Sequence, residues 1–230
     1  MTEFLLRWLH FLAGITWIGL LYYFNFVQGP FMAEADPATK SAATQKLVPR
    51  ALAWFRWSAL VTFLTGAAII GDRIGRTPEG TSAWSSPWAI TILTGALFGT
   101  VMLINVWGVI WRNQKVVIAS AKAAGSGGQA NAAAPAAARR AFLASRTNVV
   151  FSIPMLFYMG AASHYTLPAG GNQAAFWAGI IVLIALVEIN ALTATTGVTT
   201  KPIEKISGVI VTGFVVWAIE YALGRAFLSA

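Results

Sequence analysis

Six runs of apolar residues, each about as long as a membrane-crossing helix, leave few folds open to this chain. They fall at about 4–27, 50–71, 88–111, 147–167, 175–196 and 206–227, and each approaches the ~20 residues that a helix needs to cross ~30 Å of hydrocarbon. In lipid every backbone N–H and C=O must find a partner inside the structure, so spans of this length imply helices. The expected fold is all-α, a polytopic membrane bundle of about six transmembrane helices. Composition agrees, with 57% hydrophobic and only 10% charged residues. No globular-looking block lies outside the runs, so residues 1–230 are expected to form a single integral-membrane domain.

The net charge of +8 invites a nucleic-acid reading, but the charges sort by side of the membrane instead. Twelve of the 16 Lys and Arg residues lie in the connections after the first, third and fifth runs and in the adjoining helix ends. By the positive-inside rule that side is cytoplasmic, which places both termini outside and the chain as a multi-pass protein of an inner, cytoplasmic membrane, its main partner the lipid bilayer. No nucleic acid is expected. With no cysteine in the chain, disulfides, thiolate metal sites and covalent haem attachment within it are excluded. The first run lacks a basic n-region and a small-residue cleavage site, and is expected to be a retained helix.

The connections carry their own signals. Asp36-Pro37 has the form of an N-cap and first turn, expected to open a short surface helix. The stretch "GDRIGRTPEGTSAWSSP" is rich in turn residues. Residues 113–140, with "ASAKAAGSGGQANAAAPAAA", are expected to form a flexible cytoplasmic Ala/Gly-rich loop.

Within this topology the chain's two histidines share a leaflet. His10 lies six residues, ~9 Å, below the outer end of the first helix, and His164 three residues, ~5 Å, below that of the fourth. Gly14 follows His10 by four residues and Gly160 precedes His164 by four, so each glycine lies on its histidine's face one turn deeper. Two imidazoles with room beside them suit the iron of a b-type haem in a helical bundle, bound by His10 and His164 and spaced by Gly14 and Gly160. The same residues also suit headgroup bonding and helix packing.

A second polar set lies toward the cytoplasmic half. Arg56 is the candidate cation for a flat anionic substrate, with Asn105, Asn148 and Ser152 as orienting groups and Glu188 as a catalytic proton acceptor. Arg56 pairing with Glu188, or snorkelling to lipid phosphate, and asparagines joining helices are the structural alternatives.

The stretches "WLHFLAGITWIGLLYYFNFVQ", "ALAWFRWSALVTFLTG", "NVWGVIWRNQK" and "SRTNVVFSIPMLFYMGAASHY" resemble the integral-membrane domain of the cytochrome-c-linked urate oxidases of bacterial purine catabolism. The first is also similar to the opening helix of the membrane-embedded protoporphyrinogen oxidases, whose early histidine is a haem ligand; by position that role falls on His10. The urate oxidase resemblance implies oxidation of urate to 5-hydroxyisourate, with electrons leaving through haem b. Family members typically carry a cytochrome c domain, whereas this sequence contains no Cys-x-x-Cys-His. A separate periplasmic cytochrome c is then the expected electron acceptor and a urate-like purine the expected substrate. Two other readings stay open, a protoporphyrinogen-oxidising enzyme and a non-enzymatic transporter or channel that uses the inner polar set as a permeation site. Formation of a homo-oligomer also stays open.

Overall fold

The computed structural model describes residues 1–76, 83–193 and 195–229, and these form helices with no strand among them. The long elements are α1 (Thr2–Glu34), α2 (Pro37–Gly75), α3 (Pro87–Gly125), α4 (Ala134–His164), α5 (Gln173–Thr193) and α7 (Ile206–Leu228), with a short α6 (Lys201–Glu204) before the last. Five of them, α1, α2, α3, α5 and α7, are long and apolar enough to cross a membrane. Large apolar side chains such as Phe11, Ile15, Leu186 and Val211 are exposed along them, a surface compatible with a bilayer around the bundle.

The fourth expected span differs from the other five. It is the outer part of α4, a 31-residue helix that is not among the five apolar candidates. The reason is its position: α1, α3, α5 and α7 all touch it, and its buried residues include Arg146, Thr147, Asn148 and Ser152. A helix covered by other helices needs no continuous lipid-facing coat and can carry polar side chains toward its neighbours.

Helix starts follow from capping chemistry. The Asp36 side chain accepts from the backbone N–H of Ala38 and Thr39, with Pro37 in the first turn. This turn does not open a short surface helix, because the helix continues to Gly75. Ser86 caps α3 in the same way, accepting from Ala89 N–H ahead of Pro87. The loop expected over 113–140 is largely helix: α3 runs on to Gly125 and α4 begins at Ala134. Alanine has the highest helix propensity of any residue, and that preference outweighs the low complexity of the stretch. Part of the turn-rich connection after Gly75, residues 77–82, lies outside the described residues.

Small residues set the seams around α4. A Cβ on Gly95 of α3 would come within 3.2 Å of Met155 O and of Tyr158 Cβ, and one on Gly213 of α7 within 3.1 Å of Val150 O. Pro154 has no N–H to return to Val150 O, so the loosened carbonyl lies where Gly213 lets α7 approach.

The long helices are not uniform. α1, α2 and α3 each contain a π-helical turn, at Tyr23–Gln28, Ala43–Leu47 and Asn105–Ile110. Such turns cost regular hydrogen bonding and concentrate at functional sites.

Candidate functional site

The third π-turn opens on Asn105. Its Nδ2 donates to Asn148 Oδ1 at 3.0 Å and to Glu188 Oε2 at 2.9 Å, and Asn148 Nδ2 donates to Met102 O at 3.0 Å. The structure thus joins three of the expected residues across α3, α4 and α5. Asn105 is 1% and Asn148 0% exposed, while Glu188 is half-buried. One turn further along α4, the Ser152 hydroxyl donates to Val149 O at 2.7 Å and shares a 2.9 Å bond with Tyr22 OH of α1.

Arg56 does not join this group. Its guanidinium stands 3.9 Å from the Trp111 ring centroid and 5.6 and 5.8 Å from those of Trp107 and Trp57. Trp107 Nε1 donates to Arg56 O at 3.2 Å. Trp107 follows Asn105 by two residues, about half a turn of helix, so it faces α2 while Asn105 faces α4 and α5. Among the described residues no ion pair joins Arg56 to Glu188. Trp107 and Trp111, on which Arg56 lies, also line an open groove with Ile104, Gly108, Arg112 and Lys115.

In the first part of α1, His10 is half-buried and its Nδ1 lies 3.2 Å from Thr65 Oγ1 of α2. A Cβ on Gly66 would come within 3.0 Å of His10 Cε1, so the imidazole lies against α2 where that side chain is missing. Anchoring one ring nitrogen leaves Nε2 as the ligating atom, the arrangement typical of an oriented metal-binding histidine. His10 is therefore a residue that could hold the iron of a haem. Gly14 does not make room for a macrocycle as expected, because it faces Thr62 Cγ2 of α2, 3.8 Å from its would-be Cβ. Gly160 and His164 are exposed on α4, and nothing lies within 4 Å of a Cβ on Gly160, so that surface has space beside it. Among the described residues no cluster of three or more His, Cys, Asp or Glu residues could hold a metal ion.

A fourth feature involves residues that sequence reasoning passed over. A cavity of about 130 Å³ in the inner half is lined by Phe24, Asn25 and Gln28 of α1, Val48, Leu52 and Phe55 of α2, Ile110 and Gln114 of α3, and Ala138, Ala141, Phe142 and Ser145 of α4. Asn25 Nδ2 donates to Leu21 O and Ser145 Oγ, both at 2.8 Å. Gln28 Oε1 is buried without a partner among the described residues. The available signal was the pair Asn25 and Gln28, one turn apart inside an otherwise apolar run.

No curated protein and no solved structure matches the chain. A family model for the urate oxidase N-terminal domain matches residues 80–220, more than half of the 230 residues, and the chain belongs to that family.

Proposed function

We propose that this chain is a membrane-bound oxidoreductase that converts urate to 5-hydroxyisourate and delivers the electrons to a separate periplasmic cytochrome c. The observation that carries the reading is the family match over 80–220, which takes in the helices that bear Asn105, Asn148 and Glu188. The conversion balances as urate plus water giving 5-hydroxyisourate, two protons and two electrons. Haem b, when bound, accepts electrons one at a time, and His10 would hold its iron with His164 as second ligand. With both termini outside, as the distribution of basic residues favours, both histidines lie on the side of the acceptor.

The chain's own groups handle binding and protons. Arg56, Arg112 and Lys115 form a cationic rim on the cytoplasmic side that raises the local concentration of an anion. Glu188, oriented by its bond from Asn105, is the proton acceptor. Asn148 and Ser152 fix α3 and α1 against α4, so the inner half is held in one arrangement. The test is anaerobic addition of urate to the purified oxidised protein, with the haem spectrum as readout. Appearance of reduced haem b is expected. Haem that a quinol reduces and urate does not would sink the assignment.

A further inference from the structure

The inner cavity is bordered by all three π-turns of the molecule's described residues. Phe24, Asn25 and Gln28 belong to the first, Val48 directly follows the second, and Ile110 ends the third. Two irregular turns, on α1 and α3, line one small space, and the residue after a third borders it on α2, each turn at the cost of regular helical bonding. Pure packing of helices would not call for this; a chamber with specified walls does.

The walls have a definite chemistry. Phe24 and Phe55 meet edge to face with centroids 5.5 Å apart, and Phe142 adds a third ring. Between the rings stand three carboxamides and a hydroxyl: Asn25, Gln28, Gln114 and Ser145. Asn25 spends its N–H groups on Leu21 O and Ser145 Oγ, which leaves its oxygen as an acceptor. Gln28 Oε1 is buried and unused. A buried amide oxygen without a partner is unfavourable, so its retention beside a cavity points to a ligand that donates to it. The Gln28 and Gln114 amides can each present a donor and an acceptor side by side, the complement of a lactam edge, while Asn25 offers its oxygen alone.

Behind the Phe142 wall lies Arg146, 6% exposed, with its guanidinium 5.0 Å from the Phe142 ring centroid. Its Nε and Nη1 are buried without hydrogen-bond partners, and among the described residues it forms no ion pair, the Glu204 carboxylate acting on it only through longer-range charge. A guanidinium on the Phe142 ring adds positive potential to that side of the chamber and favours an anion there. The volume of about 130 Å³ is well below the ~300–1,000 Å³ of drug-sized pockets; it suits one small bicyclic ring and not a porphyrin.

We infer that this chamber is the substrate site: it holds an oxopurine anion against the aromatic wall of Phe24, Phe55 and Phe142, with the Asn25 oxygen accepting from a ring N–H and Gln28, Gln114 and Ser145 completing the polar wall. The assignment rests on the urate reading for the identity of its ligand, but its location rests on the chamber alone. Asn148 follows Ser145 by three residues on α4, so the group of Asn105, Asn148 and Glu188 lies about one helical turn along from the chamber.

Equilibrium dialysis of the purified protein against radiolabelled urate and, separately, xanthine tests the site. Wild type should bind urate. Gln28→Leu and Gln114→Leu should each weaken binding about tenfold through loss of one buried hydrogen bond, and Ala141→Phe, which fills the chamber, should abolish it. The haem spectrum and the unfolding midpoint should be unchanged in the two glutamine variants, which carry the test if Ala141→Phe fails to fold. Undiminished urate binding in both glutamine variants overturns the chamber while leaving reduction of haem by urate, and so the enzymatic reading, intact. If urate neither binds nor reduces haem, the enzymatic reading falls; loss of xanthine binding in the variants then still upholds the chamber, and binding of neither purine by wild type overturns it.

Discussion

Two groups of carboxamides occupy the inner half of the bundle, one solid and one hollow. In the first, Asn105, Asn148 and Glu188 bond to one another and to Met102 O, and both asparagines are sealed from the surface. In the second, Asn25, Gln28 and Gln114 surround a cavity, and Gln28 Oε1 has no partner among the described residues. Both groups draw on α3, and their residues look alike in the sequence. The difference lies in what their hydrogen-bonding capacity is spent on. A saturated network holds helices together, whereas a hollow one with unspent acceptors holds something else.

The largest effect that separates them is on stability. Asn148→Ala leaves one N–H of Asn105 Nδ2 without its acceptor and removes a donor from Met102 O in a buried setting, and should destabilise the fold by about 1–3 kcal/mol. Gln28→Ala removes an acceptor that was already unpaired, so its cost should stay within about 0.5 kcal/mol. Unfolding midpoints of the two variants in the same detergent give the contrast directly. Equal losses in both would mean that the chamber is as structural as the network, and would remove the reason for treating them differently.

A smaller effect sharpens the same contrast. Asn105→Leu and Asn148→Leu share a bond, so the double variant should lose less than the sum of the single variants, with a coupling of about 0.6–1.7 kcal/mol as for polar contacts between membrane helices. Gln28→Leu and Gln114→Leu have no bond to share and should add. A double-mutant cycle on each pair measures this, and strong coupling between the glutamines would show an interaction across the cavity that the structure does not contain.

Several features of this arrangement were legible in the residues. Five of the apolar runs coincide with helices able to cross a membrane, because length and hydropathy alone determine them. The Asp36-Pro37 start was readable from capping chemistry. Asn105, Asn148 and Glu188 were grouped as polar residues at one depth, and the structure does bring them together. Arg56 shares their depth, but depth carries no information about which side of a helix a residue faces, and Arg56 of α2 lies against Trp107 and Trp111 of α3 instead. The role of α4 was hidden because its polar residues lower its hydropathy, although a helix shielded by others tolerates them. Gly14 was read by its spacing from His10, which is correct for the face but silent about what that face meets. The π-turns left no signal in periodicity, since each shifts the register by a single residue, and the chamber they border could not be assembled without them.

The smallest effect lies at the base of α4, beside the chamber wall at Ala138. Arg139 pairs there with Glu204 of α6 and donates from Nε to Thr195 O at 2.8 Å. The bond and charge of Arg139 hold the Glu204 carboxyl below its usual range. A carboxyl depressed in the folded state contributes stability that is present above its unfolded value, about 4.3, and is lost as pH falls through the folded value. The Glu204 side chain is 38% exposed, so solvent screens the pair and the contribution should not exceed about 1 kcal/mol. Wild type and Arg139→Gln should therefore differ modestly in unfolding midpoint at neutral pH and converge as the medium is acidified below that range. Urate affinity, set at the amides rather than at this exposed pair, should be the same in the two proteins at neutral pH. A several-fold loss of urate binding in Arg139→Gln would show that α6 positions the chamber wall, and that the hollow group depends on the surface of the bundle as well as on its interior.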